Sequence, residues 1–140
     1  MEILSTYNEQ AAALIARMFL GLLFFFQGYD ALFKVKIQNV ISTYEYSFFN
    51  KGIPKYITRA GIWFTSCTQL ICGLLLVLGL FKYVALYLLG ANIILASIAF
   101  NIVSPMWDMK FVFPRLVLLV FLLIIPQSWD VFTIDRYIFN

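Results

Sequence analysis

The sequence contains no histidine. That removes the usual ligands of haem, copper and zinc centres, so no metal site is expected. It also removes His-based acid–base catalysis and every Ser-His-Asp or Cys-His arrangement. Charge is scarce: 12% of the 140 residues are Asp, Glu, Lys or Arg, about half the share of an ordinary soluble domain. The net charge of +3 is mild and its lysines are scattered, which excludes a nucleic-acid partner and suits the anionic surface of a bilayer. Only two cysteines occur, Cys67 and Cys72. Five residues on a helix turn through about 140°, so they diverge and form no local disulfide. They read as small residues at a helix interface. The first ten residues carry Glu2 and Glu9 and no Lys or Arg. A signal peptide's basic leader is missing, and the first apolar run is expected to stay as an uncleaved span.

What the chain has is apolar surface. Hydrophobic residues make up 63%, against roughly 45–50% in soluble domains, and a domain of this size has too little interior to hide them. A span needs about 20 apolar residues. Four segments qualify, at about 11–33, 58–81, 83–103 and 111–129. The fold class that follows is all-α, a four-helix transmembrane bundle in a single domain. Lys82 alone separates spans two and three, in the corner Gly79-Leu80-Phe81-Lys82-Tyr83, so these two form a tight hairpin. Pro114 falls near the start of span four, where a helix tolerates proline. The first connection, Lys34 to Lys55, places Val40, Ile41, Tyr44 and Phe48 on one stripe. That predicts a short amphipathic helix in the interface, ended by Gly52 and Pro54; the alternative is an irregular loop capping the bundle. Trp63, Trp107, Trp129, Tyr29 and Tyr83 fall near span ends, as an aromatic belt does. Four spans put both termini on one side. Lys34, Lys36, Lys51, Lys55, Arg59, Lys110 and Arg115 cluster at the other side, which the positive-inside rule places in the cytoplasm.

Charges within spans usually face the bundle interior. Arg17, Gly21 and Gly28 lie within about 40° on one helix face, and glycine marks the packed face, so Arg17 is expected to point inward. Topology brings Asp130 and Asp135 near Arg17, and Arg59 and Arg115 near Asp30, which predicts an ion pair at each end. The alternative is that Arg17 and Arg115 snorkel to the headgroups. Gly21, Gly28, Gly73 and Gly90 are the expected helix-packing residues. Thr65, Thr68, Gln69, Cys72 and Gly73 share a stripe on span two. Span three carries Gly90, Ser97 and Asn101 on one stripe, and Asn92, Ala96 and Ala99 on another. These mostly read as interhelical packing. The sharper reading is that Gln69, Asn92 and Asn101 line a pocket for a polar headgroup or a quinone.

The order of these features resembles the DoxX-like family of small four-span membrane proteins. Arg17-x3-Gly21-x6-Gly28 is similar to that family's opening pattern, and Gly52-Ile53-Pro54 to its Gly-Leu-Pro. Gln69-x3-Gly73-x5-Gly79-Leu80 is similar to its Glu-x3-Gly-x5-Gly-Leu, and Thr133-Ile134-Asp135 to its Ser-Leu-Asp. The chain departs from the pattern in having Gln69 for glutamate, Ala31 for a lysine after Gly28, and no histidine in span three. One branch that the chain resembles, DoxD, is the membrane subunit of a thiosulfate:quinone oxidoreductase, and related proteins resemble accessory factors.

Three functions are therefore weighed. The first is a non-catalytic subunit or assembly factor of a larger membrane complex in a bacterial inner membrane, whose partner is another membrane protein. The second is a membrane subunit of a quinone-linked oxidoreductase, with Arg17, Gln69 and Asn92 around a bound quinone and a soluble redox partner. The third is a small transporter, which four spans without a repeat would form only as an oligomer.

Overall fold

The structure, a computed structural model, describes residues 2–103 and 109–139. It is an all-α membrane bundle. Helix α1 (Glu2–Tyr29) continues through a π-helical turn at Asp30–Lys34, and α2 (Ile37–Phe49) follows after Lys36, whose φ is +67°. Helices α3 (Lys55–Leu78), α4 (Lys82–Val103) and α5 (Met109–Ile124) complete the bundle. A 3-10 turn (Gln127–Trp129) and the short α6 (Ile134–Ile138) close it. Among the described residues, three helices are long and apolar enough to cross a membrane, with a shorter apolar helix at Val112–Ile124.

Two boundaries differ from the sequence expectation. Helix α1 begins at Glu2 rather than near residue 11, because no Gly or Pro interrupts the first twenty residues and Ala11-Ala12-Ala13 favour helix strongly. The fourth helix ends at Ile124, not residue 129. Pro126 is the reason: it lacks a donor and drives Ile125 out of helical geometry. Pro114 lies inside α5, not at its edge. Trp107 falls outside the described residues.

Neighbouring helices run antiparallel, with α1 packed on α3 and α5, and α4 on the same two. The α1–α3 seam is the closest. A Cβ on Gly28 would sit 2.5 Å from the Leu70 nitrogen, and one on Gly73 would sit 2.5 Å from the Phe25 nitrogen. At Gly21 the nearest atoms would be Val77 Cγ2 at 2.8 Å and backbone at 3.0 Å. These three glycines let backbone meet backbone, where dispersion contacts replace a hydrophobic driving force that lipid does not supply. Gly90 does not belong with them: its Cβ would meet only Leu119 Cδ2, at 3.7 Å. The buried core runs from Ala13, Leu20 and Phe24 through Leu76, Leu86 and Leu89 to Leu119 and Leu122. Helix α2 turns its expected stripe inward, with Phe48 buried, Val40, Ile41 and Tyr44 half-buried, and Tyr44 against Phe100 at 6.5 Å between ring centroids.

Candidate functional site: a charged cavity at one end of the bundle

The site forms where α3 turns into α4. Helix α3 ends at Gly79 in left-handed geometry (φ +70°), with Gly79 N–H donating to Leu76 O (3.2 Å) and Leu80 N–H to Leu75 O (2.9 Å). This Schellman arrangement requires a residue without a Cβ penalty. Phe81 follows with φ +47°, a conformation that costs a non-glycine residue about 1–2 kcal/mol. Asp135 holds it there. The Phe81 and Lys82 N–H groups donate to the two Asp135 oxygens, at 2.9 and 3.2 Å, while Asp135 N–H donates to Gly79 O at 3.2 Å. A carboxylate from the end of the chain thus caps the first turn of α4, where unpaired donors and the helix dipole favour negative charge.

Behind this turn lies Asp130. Its Oδ1 is 3.4 Å from Arg17 Nη1, and its Oδ2 is 2.7 Å from Lys82 Nζ. All three side chains are buried, at 2% exposure for Arg17, 5% for Lys82 and 6% for Asp130. Arg17 also donates to the Phe132 carbonyl, and Lys82 lies over the Tyr83 ring at 5.5 Å. In front of the cluster opens a cavity of about 630 Å³, bounded by Lys82, Asp130, Asp135, Arg136 and the Phe81 and Phe139 rings.

The DoxX family model matches residues 12–102, about two thirds of the chain. The chain belongs to the DoxX family. The matched segment runs from α1 to α4 and holds Arg17, Gly21, Gly28, Gln69, Gly73, Gly79 and Lys82. The acidic half of the site, Asp130 and Asp135, lies beyond it. No curated protein and no solved structure matches the chain.

The other residues singled out by sequence distribute as follows in this DoxX-family fold. Asp30 does not meet Arg59 or Arg115. It sits 3.8 Å from Lys34, one turn on, at the exposed end of α1. Arg59 instead pairs with Glu45 on α2 at 3.2 Å, beside Lys55 at 3.5 Å. The hydrogen bond from Arg59 holds the Glu45 carboxyl below its ordinary range. Arg115 donates to Gln27 Oε1 at 2.5 Å and lies over the Phe24 ring at 5.7 Å. Helix α2 explains the exchange: by docking on α3 it brings Glu45 to Arg59 first.

Gln69 and Asn92 are buried and engaged with each other. Gln69 Nε2 donates to Asn92 Oδ1 (3.3 Å), and Asn92 Nδ2 donates to Thr65 O (3.1 Å). Asn101 is exposed, since nine residues carry it to the opposite face of α4. The three do not converge on one pocket; two of them fasten α3 to α4. Sequence reasoning missed Lys82 and Glu45. The signal for Lys82 was available: one lysine in a turn too tight to reach solvent freely, at the end where Asp130 and Asp135 lie.

Proposed function

We propose that this protein is a non-catalytic membrane subunit or accessory factor of a larger membrane complex. One observation carries the reading: the buried charges pair with and position one another. Asp130 holds Arg17 and Lys82, while Asp135 fixes the α3–α4 turn. Such groups specify how the elements meet rather than cycle protons. Gln69 and Asn92 serve the same end by binding each other, which weighs against a quinone pocket at those amides.

In this reading the chain sits in a bacterial cytoplasmic membrane with both termini on the outer side. Arg17 and Lys82 are buried in ion pairs at the terminal end, whereas Lys34, Lys36, Lys51, Lys55 and Arg59 are exposed at the other end. That asymmetry favours the second end in the cytoplasm. The test is affinity purification from native membranes in mild detergent, with mass spectrometry of what co-purifies. A stoichiometric membrane partner is the expected result. Isolation of the chain alone with a bound quinone would overturn the proposal in favour of a quinone-linked oxidoreductase subunit.

A further inference from the structure

The end cavity has a chemistry that the ion pairs do not exhaust. A lysine ammonium carries three protons. Asp130 Oδ2 lies against Lys82 Nζ at 2.7 Å, yet Nζ makes no oriented hydrogen bond, although it is buried. Arg17 Nε, just behind it, is buried with no acceptor among the described residues, and Nη1 meets Asp130 Oδ1 as an ion pair at 3.4 Å without a hydrogen bond. Buried donors of this kind are costly unless an acceptor reaches them.

The nearby carboxylates are already engaged. Both Asp135 oxygens accept from backbone, and Asp130 faces two cations. Arg136 borders the same cavity, is exposed, and has no carboxylate partner among the described residues. Three cations (Arg17, Lys82, Arg136) therefore stand against two carboxylates (Asp130, Asp135), a local charge of +1. The rim is apolar. Phe81 and Phe139 pack edge to face at 6.1 Å, and Val84 beside them is 55% exposed. The volume, about 630 Å³, lies in the usual range for small-ligand sites, about 300–1,000 Å³. The α3–α4 turn also marks the level where two spans end, the depth of lipid headgroups.

We propose that this cavity binds the phosphate group of a phospholipid, with Lys82 and Arg136 as its cationic partners and the Phe81–Phe139 edge against the glycerol region. The shared chemistry is that of a phosphate ester. A soluble phosphate offers the same oxygens but has nothing to place against the aromatic rim. The inference is independent of the partner proposed above, since a lipid is retained or lost whether or not a protein co-purifies.

The experiment uses the whole chain purified in a neutral maltoside detergent, with thermal unfolding followed as short-chain phosphatidylglycerol is titrated. A saturable rise in the midpoint is expected, together with retained phospholipid in native mass spectrometry. Arg136→Gln should weaken the apparent affinity about tenfold, as loss of one charge-assisted hydrogen bond does. Lys51→Gln, an exposed cation at the opposite end, should leave it unchanged. An equal response to inorganic phosphate would overturn the lipid assignment in favour of a soluble anion. Absence of a saturable shift, or an equal loss in Lys51→Gln, would overturn the site itself.

Discussion

Replacing Asp130 by asparagine keeps the side chain's shape and removes its charge. In the native fold one carboxylate faces Lys82 at 2.7 Å and Arg17 at 3.4 Å. With an effective dielectric near 20, these attractions are worth about 6 and 5 kcal/mol, and desolvation of the three ions offsets most of that sum. The variant loses the attraction and keeps the desolvation of two cations, which now also repel each other. Deleting one partner of a buried pair costs about 3–5 kcal/mol, and Asp130 serves two pairs, so Asp130→Asn should cost at least about 4 kcal/mol. Lys82→Met should cost less, because it leaves Arg17 paired with Asp130 one to one. The triple change Arg17→Leu, Lys82→Met, Asp130→Leu removes every ion of the cluster and should lie within about 2 kcal/mol of the parent, as apolar replacements of buried ion clusters often do. The assay is unfolding in mixed micelles titrated with SDS, read by tryptophan fluorescence and helical circular dichroism. An Asp130→Asn variant within about 1 kcal/mol of the parent would refute the reasoning, as would a triple variant less stable than the single one.

Gly73→Ala should destabilise by several kcal/mol in the same assay, because its Cβ would fall 2.5 Å from the Phe25 nitrogen, which is backbone and has no rotamer to yield. Gly90→Ala should be neutral or slightly stabilising, since it meets only Leu119 at 3.7 Å and gains helix propensity. Asp135→Ala should cost about 1–2 kcal/mol as a lost helix cap and speed amide exchange at Phe81 and Lys82, the two donors it holds. Glu45 has a folded pKa depressed by Arg59. Its contribution to docking α2 is therefore complete above the ordinary glutamate value, about pH 4.3, and is lost as pH falls below that through the folded value. Once the intrinsic pH dependence of exchange is divided out, protection of the amides in Ile37–Phe49 should fall over that interval, weakly because the pair is exposed to solvent, and should not change there in Glu45→Gln.

The bundle was legible in the sequence because apolar length and helical phase are local properties. The inward direction of Arg17 followed from its phase with Gly21 and Gly28, and α2 from the spacing of Val40, Ile41, Tyr44 and Phe48. Features that depend on two distant segments were less accessible. The burial of Lys82 requires Asp130 to fold back beneath the turn; the tight turn and the shared end of the bundle hint at it, but the contact itself depends on a segment 48 residues away. The order of the spans places Asp30 near Arg59, but it does not say which face of α2 meets α3, and that docking brings Glu45 to Arg59 instead. Gly90 has the spacing of a packing glycine, but closeness is set by the opposing helix, and α5 presents the Leu119 side chain there rather than its backbone. The end of the fourth helix was a local signal passed over: apolar content suggested continuation, whereas Pro126 stops a helix whatever its hydropathy.

The position of Asp130 along the chain also sets an order of events during synthesis. Arg17 and Lys82 enter the nascent chain 113 and 48 residues before the carboxylate that neutralises them. At about 5–20 residues per second, Arg17 waits roughly 6–23 seconds for its counter-ion. Helices α1, α3 and α4 are therefore synthesised before the carboxylate that holds their buried cations, and the cluster can close only once the segment after α5 has been made.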